Sequence, residues 1–124
     1  MKIKALASNH RRLKKNVQYY KGIMMDSSWE IALAKKMDSL NINWVRPNFI
    51  LWTDNNGLIH HYFPDFYLPD YDIYLDPKNP HAYNVQIEKI NMLNEQYDNI
   101  LFITSLKEIK EFNIASILAL PSKQ

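Results

Sequence analysis

The stretch from residue 60 to residue 78 constrains the fold of this 124-residue chain more than any other part of it. From Tyr62 to Leu68, aromatic and aliphatic residues alternate with polar ones, which is the period of a strand with one buried face. Residues 68–71 (LPDY) follow as a tight turn, because proline fixes φ and aspartate can bond to its own backbone. A second short strand covers residues 72–76. The sequence therefore predicts a β-hairpin in the middle of the chain.

Three charged side chains of this hairpin are expected to converge. Asp76 and Lys78 are two residues apart, so they project to one face of an extended strand. Asp65 lies on the preceding strand, close enough across the hairpin to join them. A hard Mg²⁺ ion is usually held by one or two carboxylates, so the three together predict a metal site with a cation beside it. Taken singly, the aspartates are more often turn caps or strand ends, and the lysine a solvated surface residue.

The spacing of these residues resembles a known signature. Pro64-Asp65, ten intervening residues and then Asp76-Pro77-Lys78 look like the motif of the PD-(D/E)XK nuclease superfamily. The resemblance covers about residues 26–104, and the local sequence is most similar to phage-type endonuclease domains: homing endonucleases, junction-resolving enzymes and very-short-patch-repair nucleases. It implies an α/β fold with a restriction-endonuclease-like αβββαβ core, in which helices flank a mixed central sheet.

The resemblance also implies a function, that of a metal-dependent DNA endonuclease that hydrolyses phosphodiester bonds. Its cofactor would be Mg²⁺, with Mn²⁺ as a substitute. Asp65, Asp76 and the carbonyl of Pro77 would hold the metal, and Lys78 would orient the attacking water and offset charge in the transition state. Because Pro77 has no N–H to donate, we expect strand pairing to lapse at this residue.

Two further residues are assigned to the site by the resemblance. Many members of the superfamily carry a glutamate on the first core helix that reaches the metal, and Glu30 holds that position in the helix predicted for residues 26–40. Glu30 also completes a capping box with Ser27. The two interpretations compete, because a side chain bonded to its own N-cap cannot also reach a metal; we favour the catalytic one. Some members place a glutamine on the helix after the lysine, which is the position of Gln86.

The remaining predicted elements complete the core. We expect strands at residues 44–52, 58–68 and 99–104, a hairpin turn at 53–57 and helices at 81–98 and 106–112. Residues 114–120 are apolar and could form a helix or a strand; we favour a helix. Cysteine is absent, which excludes disulfides and cysteine-ligated zinc. No apolar run predicts a membrane span or a signal peptide, so a cytoplasmic protein without a membrane partner is expected. The resemblance to phage-type domains implies a phage or a prokaryotic cell as its setting.

Charge is distributed unevenly along the chain. Residues 1–21 hold seven basic residues and no acidic one, whereas the rest holds eight basic residues against 13 acidic ones. Helical spacing of apolar residues, with Gly22 as a C-cap, predicts a helix over residues 8–22. We therefore divide the chain into a basic N-terminal arm or helix, residues 1–25, and a nuclease domain, residues 26–124. The predicted contacts with the DNA backbone are Arg11, Arg12, Lys14, Lys15 and Lys21.

DNA is thus the expected partner. A homodimer is expected if both strands are cut, because one metal site serves one strand and a two-fold pair presents two. Two other hypotheses stay open on the sequence. One is a catalytically inactive nucleic-acid-binding protein with the same fold, and the other is a small accessory protein whose acidic face is merely solvated.

Overall fold

The computed structural model describes residues 18–118, which form a mixed α/β fold with several small sheets. The strands in this part of the chain are β1 (Gln18–Tyr20), β2 (Ile23–Met25), β3 (Ile50–Thr53), β4 (Ile59–Tyr62), β5 (Phe66–Leu68), β6 (Ile73–Pro77) and β7 (Ile100–Ile103). The helices are α1 (Ser28–Ser39), α2 (Pro80–Val85), α3 (Ile87–Gln96), α4 (Leu106–Lys110) and α5 (Ile114–Leu118). Within the described residues, no helix is long and apolar enough to cross a bilayer.

The central sheet has the strand order β5-β6-β7. The predicted hairpin is confirmed, since β5 pairs antiparallel with β6 and Phe66 lies opposite Leu75. The apolar run after the second helical segment is β7, which pairs parallel with β6, as the crossover through α2 and α3 requires. On the other side of β5, Val45 forms an isolated antiparallel bridge with Tyr67.

Strand alternation gives the two faces of this sheet different partners. One face packs against α1 in a core built by Leu33, Met37, Phe66, Leu68, Leu75 and Ile103. The opposite face packs against α3 and the β3–β4 hairpin in a second, smaller cluster, formed by Trp52, Tyr62, Leu93 and Ile100 with Tyr74 and Phe102 packed against it. The central sheet therefore lies between two packing layers, one on each face.

The two strands predicted on either side of residues 53–57 differ from the structure. The turn itself is present, but β3 and β4 form a separate two-stranded sheet. The strand predicted over residues 58–68 is interrupted at residues 63–65, where Pro64 has no N–H for a ladder. The strand predicted over residues 44–52 is likewise divided around Pro47, with only Val45 and the residues of β3 paired. In both places a proline marks the point where the chain passes from one sheet to another.

The helix predicted over residues 81–98 is two helices. Asn79 caps α2, its side chain accepting from the N–H of Ala82 at 2.8 Å. The chain leaves helical geometry at Gln86 and resumes it in α3, which buries Ile90 and Leu93. The helices after β7 agree with the prediction, and Ser105 caps α4 by accepting from the N–H of Glu108.

The prediction for the start of the chain is wrong where the structure can be compared with it. Residues 8–17 of the predicted helix lie outside the described residues, but residues 18–25 form the β1–β2 hairpin instead of helix. Its turn, Lys21-Gly22, has positive φ at both residues (52° and 79°), which suits a two-residue hairpin and not a helix. Met25 is fully buried in the main core, so this hairpin packs as part of the domain.

The carboxylate of Asp38, on α1, contacts the hairpin. Asp38 accepts hydrogen bonds from the Tyr20 hydroxyl at 2.5 Å and from the Trp44 indole at 2.9 Å, and forms an ion pair with Lys21 at 2.8 Å. The ammonium of Lys21, which was predicted to contact DNA, therefore has an acidic partner within the protein. The side chain keeps more than half of its surface exposed, and Asp38 raises its pKa.

Candidate active site

The structure brings five of the predicted site residues to one cleft at the carboxyl end of β6. The cleft has a volume of about 300 Å³. Asp65, Asp76, Pro77 and Lys78 line it from the hairpin, and Glu30 lines it from the first turn of α1. The residues that complete the lining are Asp26, Ser27, Trp29, Phe63, Asn79 and Ala82.

Strand geometry accounts for the meeting of the two aspartates and the lysine. Phe66 and Leu68 point into the main core, so the residue just before Phe66, Asp65, is directed to the opposite face of the sheet. Leu75 also points into the main core, and Asp76 and Lys78 are directed away from it. The alternation predicted from the sequence is thus confirmed at the level of the side chains.

Asp76 is the centre of the site. It is only 2% exposed, and a tyrosine and a lysine contact its two carboxylate oxygens. The Tyr62 hydroxyl donates a hydrogen bond to Oδ2, and the Lys78 ammonium lies 3.5 Å from Oδ1. Burial, followed by the charge of Asp76, raises the pKa of Tyr62, so this hydroxyl remains a donor. A buried carboxylate is tolerated when its oxygens are satisfied in this way.

Asp65 shows how crowded the carboxylates are. Burial raises the pKa of Asp65 to about 9, with the charges of Asp76 and Glu30 adding to the effect and Arg46 opposing it. Like charges at this proximity disfavour the ionised state of one another. Ionisation of Asp65 is therefore disfavoured in this cleft, and a cation bound there would favour it.

Arg46 is the residue that holds Glu30 in place. Its guanidinium donates to Oε1 of Glu30 at 2.8 Å, and also to the backbone carbonyls of Asp65 and Met24 at 2.8 Å each. One planar side chain thus connects α1, the strand β2 and the entry to β5. Arg46 was not predicted from the sequence, where its only signal is a cation placed beside Pro47 in an apolar segment.

The capping prediction for Glu30 is half right. Ser27 is the N-cap and accepts from the N–H of Glu30 at 3.2 Å, as predicted. The reciprocal bond to the Glu30 carboxylate comes from the N–H of Asp26, at 3.2 Å, rather than from Ser27. Both this hydrogen bond and the one from Arg46 go to Oε1, and the Glu30 carboxylate still lines the cleft. The capping and catalytic interpretations of Glu30 therefore do not exclude each other.

The predicted lapse of pairing at Pro77 occurs on the side of β5, whose ladder with β6 stops at Leu75, and does not occur on the side of β7. Pro77 is opposite Ile103 in the β6–β7 ladder, and the N–H of Lys78 donates to the Ile103 carbonyl at 2.8 Å. Alternate residues of a strand bond to the same neighbour, and the N–H groups of Tyr74 and Lys78 both donate to β7. The nitrogen of Pro77 therefore faces the side of β5, past the end of that strand, where no ladder bond is lost.

Two more side chains near Asp76 were not predicted from the sequence. Tyr62 is one, placed by the buried face of β4. Lys89 is the other: its ammonium lies 5.3 Å from the centroid of the Tyr62 ring. Burial and the charge of Lys78 lower the pKa of Lys89, while Asp76 raises it. Helical periodicity could not have related Lys89 to Ala82, which lines the cleft, because the chain leaves helical geometry between them at Gln86.

The remaining predicted residues are placed elsewhere. Gln86 caps α2 with its backbone and is not among the residues that line the cleft. His60, left without an assigned role, pairs with Asp54 at 2.7 Å in the β3–β4 turn. The predicted DNA contacts Arg11, Arg12, Lys14 and Lys15 lie outside the described residues.

The donor atoms of the cleft were compared with the needs of Mg²⁺. Within residues 18–118, no three or more histidine, aspartate or glutamate side chains are gathered as a complete metal site. Mg²⁺ does not need such a set, since it keeps several waters and takes one or two carboxylates together with substrate phosphate. Asp65, Asp76 and the Pro77 carbonyl are oxygen donors of this kind, so the residues present fit the ion.

The chain was also compared with known proteins. No protein-family model, no curated protein and no solved structure matches it. The function of the cleft must therefore be argued from its own geometry.

Proposed function

We propose that this protein is a metal-dependent DNA endonuclease that hydrolyses phosphodiester bonds, of the homing or structure-specific kind. The observation that carries the proposal is the convergence of Asp65, Asp76 and Lys78 in one cleft at the end of β6. Asp76 is buried, Asp65 is half-buried, and Lys78 lies 3.5 Å from Asp76. Burial and the charge of Asp76 oppose the ionisation of Asp65, which a bound cation would favour.

The order of elements supports a core similar to that of PD-(D/E)XK nucleases. Helix α1 comes first, and Val45 adds a short strand position beside β5. The antiparallel pair β5–β6 then carries the motif, and the two helices lead to the parallel strand β7. If the Val45 bridge is counted as a strand, this order resembles αβββαβ; the central sheet itself has three strands, and the β1–β2 and β3–β4 hairpins are separate sheets.

The proposed roles follow from the contacts. Asp65, Asp76 and the carbonyl of Pro77 would hold Mg²⁺, which lowers the pKa of a bound water and polarises the phosphoryl oxygen. Lys78 orients the attacking water and offsets charge at the phosphate. Tyr62 fixes the rotamer of Asp76 through its hydrogen bond, and Glu30, held by Arg46, adds negative charge at the rim of the cleft.

The test is a cleavage assay on supercoiled, linear and branched DNA, with Mg²⁺, with Mn²⁺ and with a chelator. We expect cleavage with either metal and none with the chelator. The Asp65→Asn variant, purified in the same way, controls for a contaminating nuclease. If the protein binds these DNAs in a salt-sensitive manner and cuts none of them with either metal, the proposal fails in favour of an inactive nucleic-acid-binding protein.

The basic arm gives a separate prediction. Removing residues 1–17 deletes six cations but leaves Tyr20 and Lys21 on Asp38, so the fold should persist. Each phosphate that the arm no longer neutralises reduces the slope of log K against log salt by about 0.9, so we expect a reduction of up to about 5. Binding titrations in chelator at several salt concentrations measure it.

The full-length chain with the same six residues changed to glutamine is the matched control for this truncation. It should reproduce the effect if charge is the cause. An unchanged slope in both proteins would contradict DNA contact by the arm.

A further inference from the structure

An exposed cluster of aromatic rings adjoins the cleft. Phe49 precedes β3, and His61 and Phe63 lie at the end of β4 and just after it; we call these three residues the aromatic patch. The centroid of the Phe49 ring is 4.1 Å from that of His61 and 6.0 Å from that of Phe63. The rings of His61 and Phe63 are nearly parallel, with 22° between their planes.

The patch is on the outer face of the β3–β4 hairpin. On the inner face, Trp52 and Tyr62 are buried against α3. On the outer face, Phe49 is 45% exposed and Phe63 is 67% exposed. Phenylalanine is among the residues most often buried, and contiguous exposed apolar surface commonly marks a binding site. Packing within the described residues therefore does not account for this cluster.

Phe63 connects the patch to the proposed active site. It lines the cleft together with Asp76 and Lys78, and it contacts the other two rings of the patch. A nucleic-acid strand with a phosphate at Lys78 would leave the cleft past Phe63. Its bases would then meet ring faces and not charged groups.

The charge of the hairpin is compatible with such a strand. The exposed outward side chains of β3 and β4 are Leu51, Thr53, Ile59 and His61, none of them acidic. The turn carboxylate in the described residues, Asp54, is paired with His60. A polyanion can therefore run over this face without meeting a facing carboxylate.

From these observations we propose that the aromatic patch is a stacking subsite for unpaired nucleotides next to the scissile phosphate. This inference rests on the proposed nuclease function and narrows its substrate to DNA with a single-stranded tail, bulge or junction beside a duplex. Bases within a duplex have both faces stacked already, whereas unpaired bases can stack on aromatic side chains. The patch therefore distinguishes the two kinds of DNA.

The test compares binding of a blunt duplex with binding of the same duplex carrying a single-stranded tail. Fluorescence anisotropy in chelator measures binding without cleavage. Phe63→Leu removes the ring but keeps an apolar side chain, and we expect it to weaken binding of tailed DNA by about fivefold to a hundredfold, the range for one stacked base. Binding of the blunt duplex should change less than about twofold.

Two variants serve as controls. Phe63→Trp retains a ring and should bind tailed DNA at least as well as the unmodified protein. Ile59→Ala alters a side chain on the same hairpin face that is equally exposed, 66%, but is not part of the patch. It should leave binding of both DNAs unaffected.

Several outcomes would overturn the inference. One is that Phe63→Leu weakens binding of the blunt and the tailed duplex equally. Another is that it weakens binding of neither duplex. Alternatively, sedimentation could show that Phe63→Leu and Ile59→Ala each dissociate a dimer while DNA binding is unchanged, which would make this face a contact between copies. The result is separable from the proposed function. If the unmodified protein cleaves DNA but shows no preference for tailed DNA, only the subsite is refuted. If it prefers tailed DNA, and Phe63→Leu removes that preference, but no DNA is cleaved, only the nuclease is refuted.

Discussion

Asp76→Asn is expected to lower the single-turnover rate of DNA cleavage by at least about 10²-fold and to weaken Mg²⁺ binding at the same time. The change removes one ligand charge, and a metal supplies several kcal/mol of transition-state stabilisation at such a site. Asparagine is the same size and can still accept the hydrogen bond from Tyr62. Because Asp65 is also relieved of a neighbouring charge, the thermal stability of the variant should not fall.

Lys78→Ala should lower DNA cleavage without weakening Mg²⁺ binding. Lys78 is a cation close to the metal-binding oxygens, so its loss should leave Mg²⁺ affinity unchanged or slightly higher, since like charges repel. Cleavage should still fall by about 10²–10⁴-fold, the contribution of a positioned proton-transfer or orienting group. Metal titration by calorimetry beside single-turnover cleavage distinguishes the two variants.

Asp98→Asn is the matched control for both. It alters an exposed carboxylate just before β7, at the opposite end of the central sheet from the cleft. It should change neither metal binding nor cleavage. A folded Lys78→Ala protein that cleaves at the full rate with Mg²⁺ would show that Lys78 has no part in the chemistry, and the proposed site would have to be abandoned.

The second large effect concerns stability. Arg46→Met should lower the free energy of unfolding by about 2–4 kcal/mol. The change leaves the buried carboxylate of Glu30 without its ion-pair partner and removes the hydrogen-bond donor of two backbone carbonyls. This loss of stability is smaller than that expected for a fully buried ion pair, because the Arg46 side chain is 28% exposed, whereas that of Glu30 is 6% exposed. Urea unfolding followed by circular dichroism measures it.

A double-mutant cycle identifies the cause of this destabilisation. With Glu30→Gln in the background, Arg46→Met no longer leaves a buried charge, so it should cost at least about 1 kcal/mol less. Arg46→Lys keeps the charge but not the planar fork that reaches three acceptors, and should be intermediate. Strict additivity of the two single changes would contradict the assignment of Arg46 as the partner that stabilises Glu30.

Local patterns were sufficient for the part of the site that lies on one hairpin. The alternation around Phe66 and Leu75 predicted which residues enter the core, and it therefore predicted that Asp65, Asp76 and Lys78 share a face. The same method failed at Lys21-Gly22, where apolar residues at helical spacing coincide with a turn that requires positive φ. Periodicity indicates which residues are buried, and the apolar residues of a short segment can match both the helical period of about 3.6 residues and the strand period of about 2.

The rest of the site depends on packing between elements distant in sequence. Arg46 reaches Glu30 across 16 positions of the chain, and Tyr62 reaches Asp76 across 14. Lys89 approaches the site because α3 packs on the face of the sheet that carries Asp76. No local pattern encodes these distances, so they could be found only in the folded structure. Gln86, assigned partly by resemblance and partly by the helix face it shares with Ile90, is the predicted residue that the cleft does not include, because the helix is broken at Gln86.

The position of Pro77 has a consequence for how the protein behaves among other chains. β5 begins at Phe66, opposite Leu75, so within the described residues Asp76 and Pro77 have no strand partner on this edge of β6, although both are buried. An incoming strand needs both donors and acceptors along such an edge, and proline supplies only a carbonyl. At Pro77 this edge of β6 therefore resists the addition of another strand. The same residue thus keeps other polypeptides from pairing with the sheet where it borders the cleft.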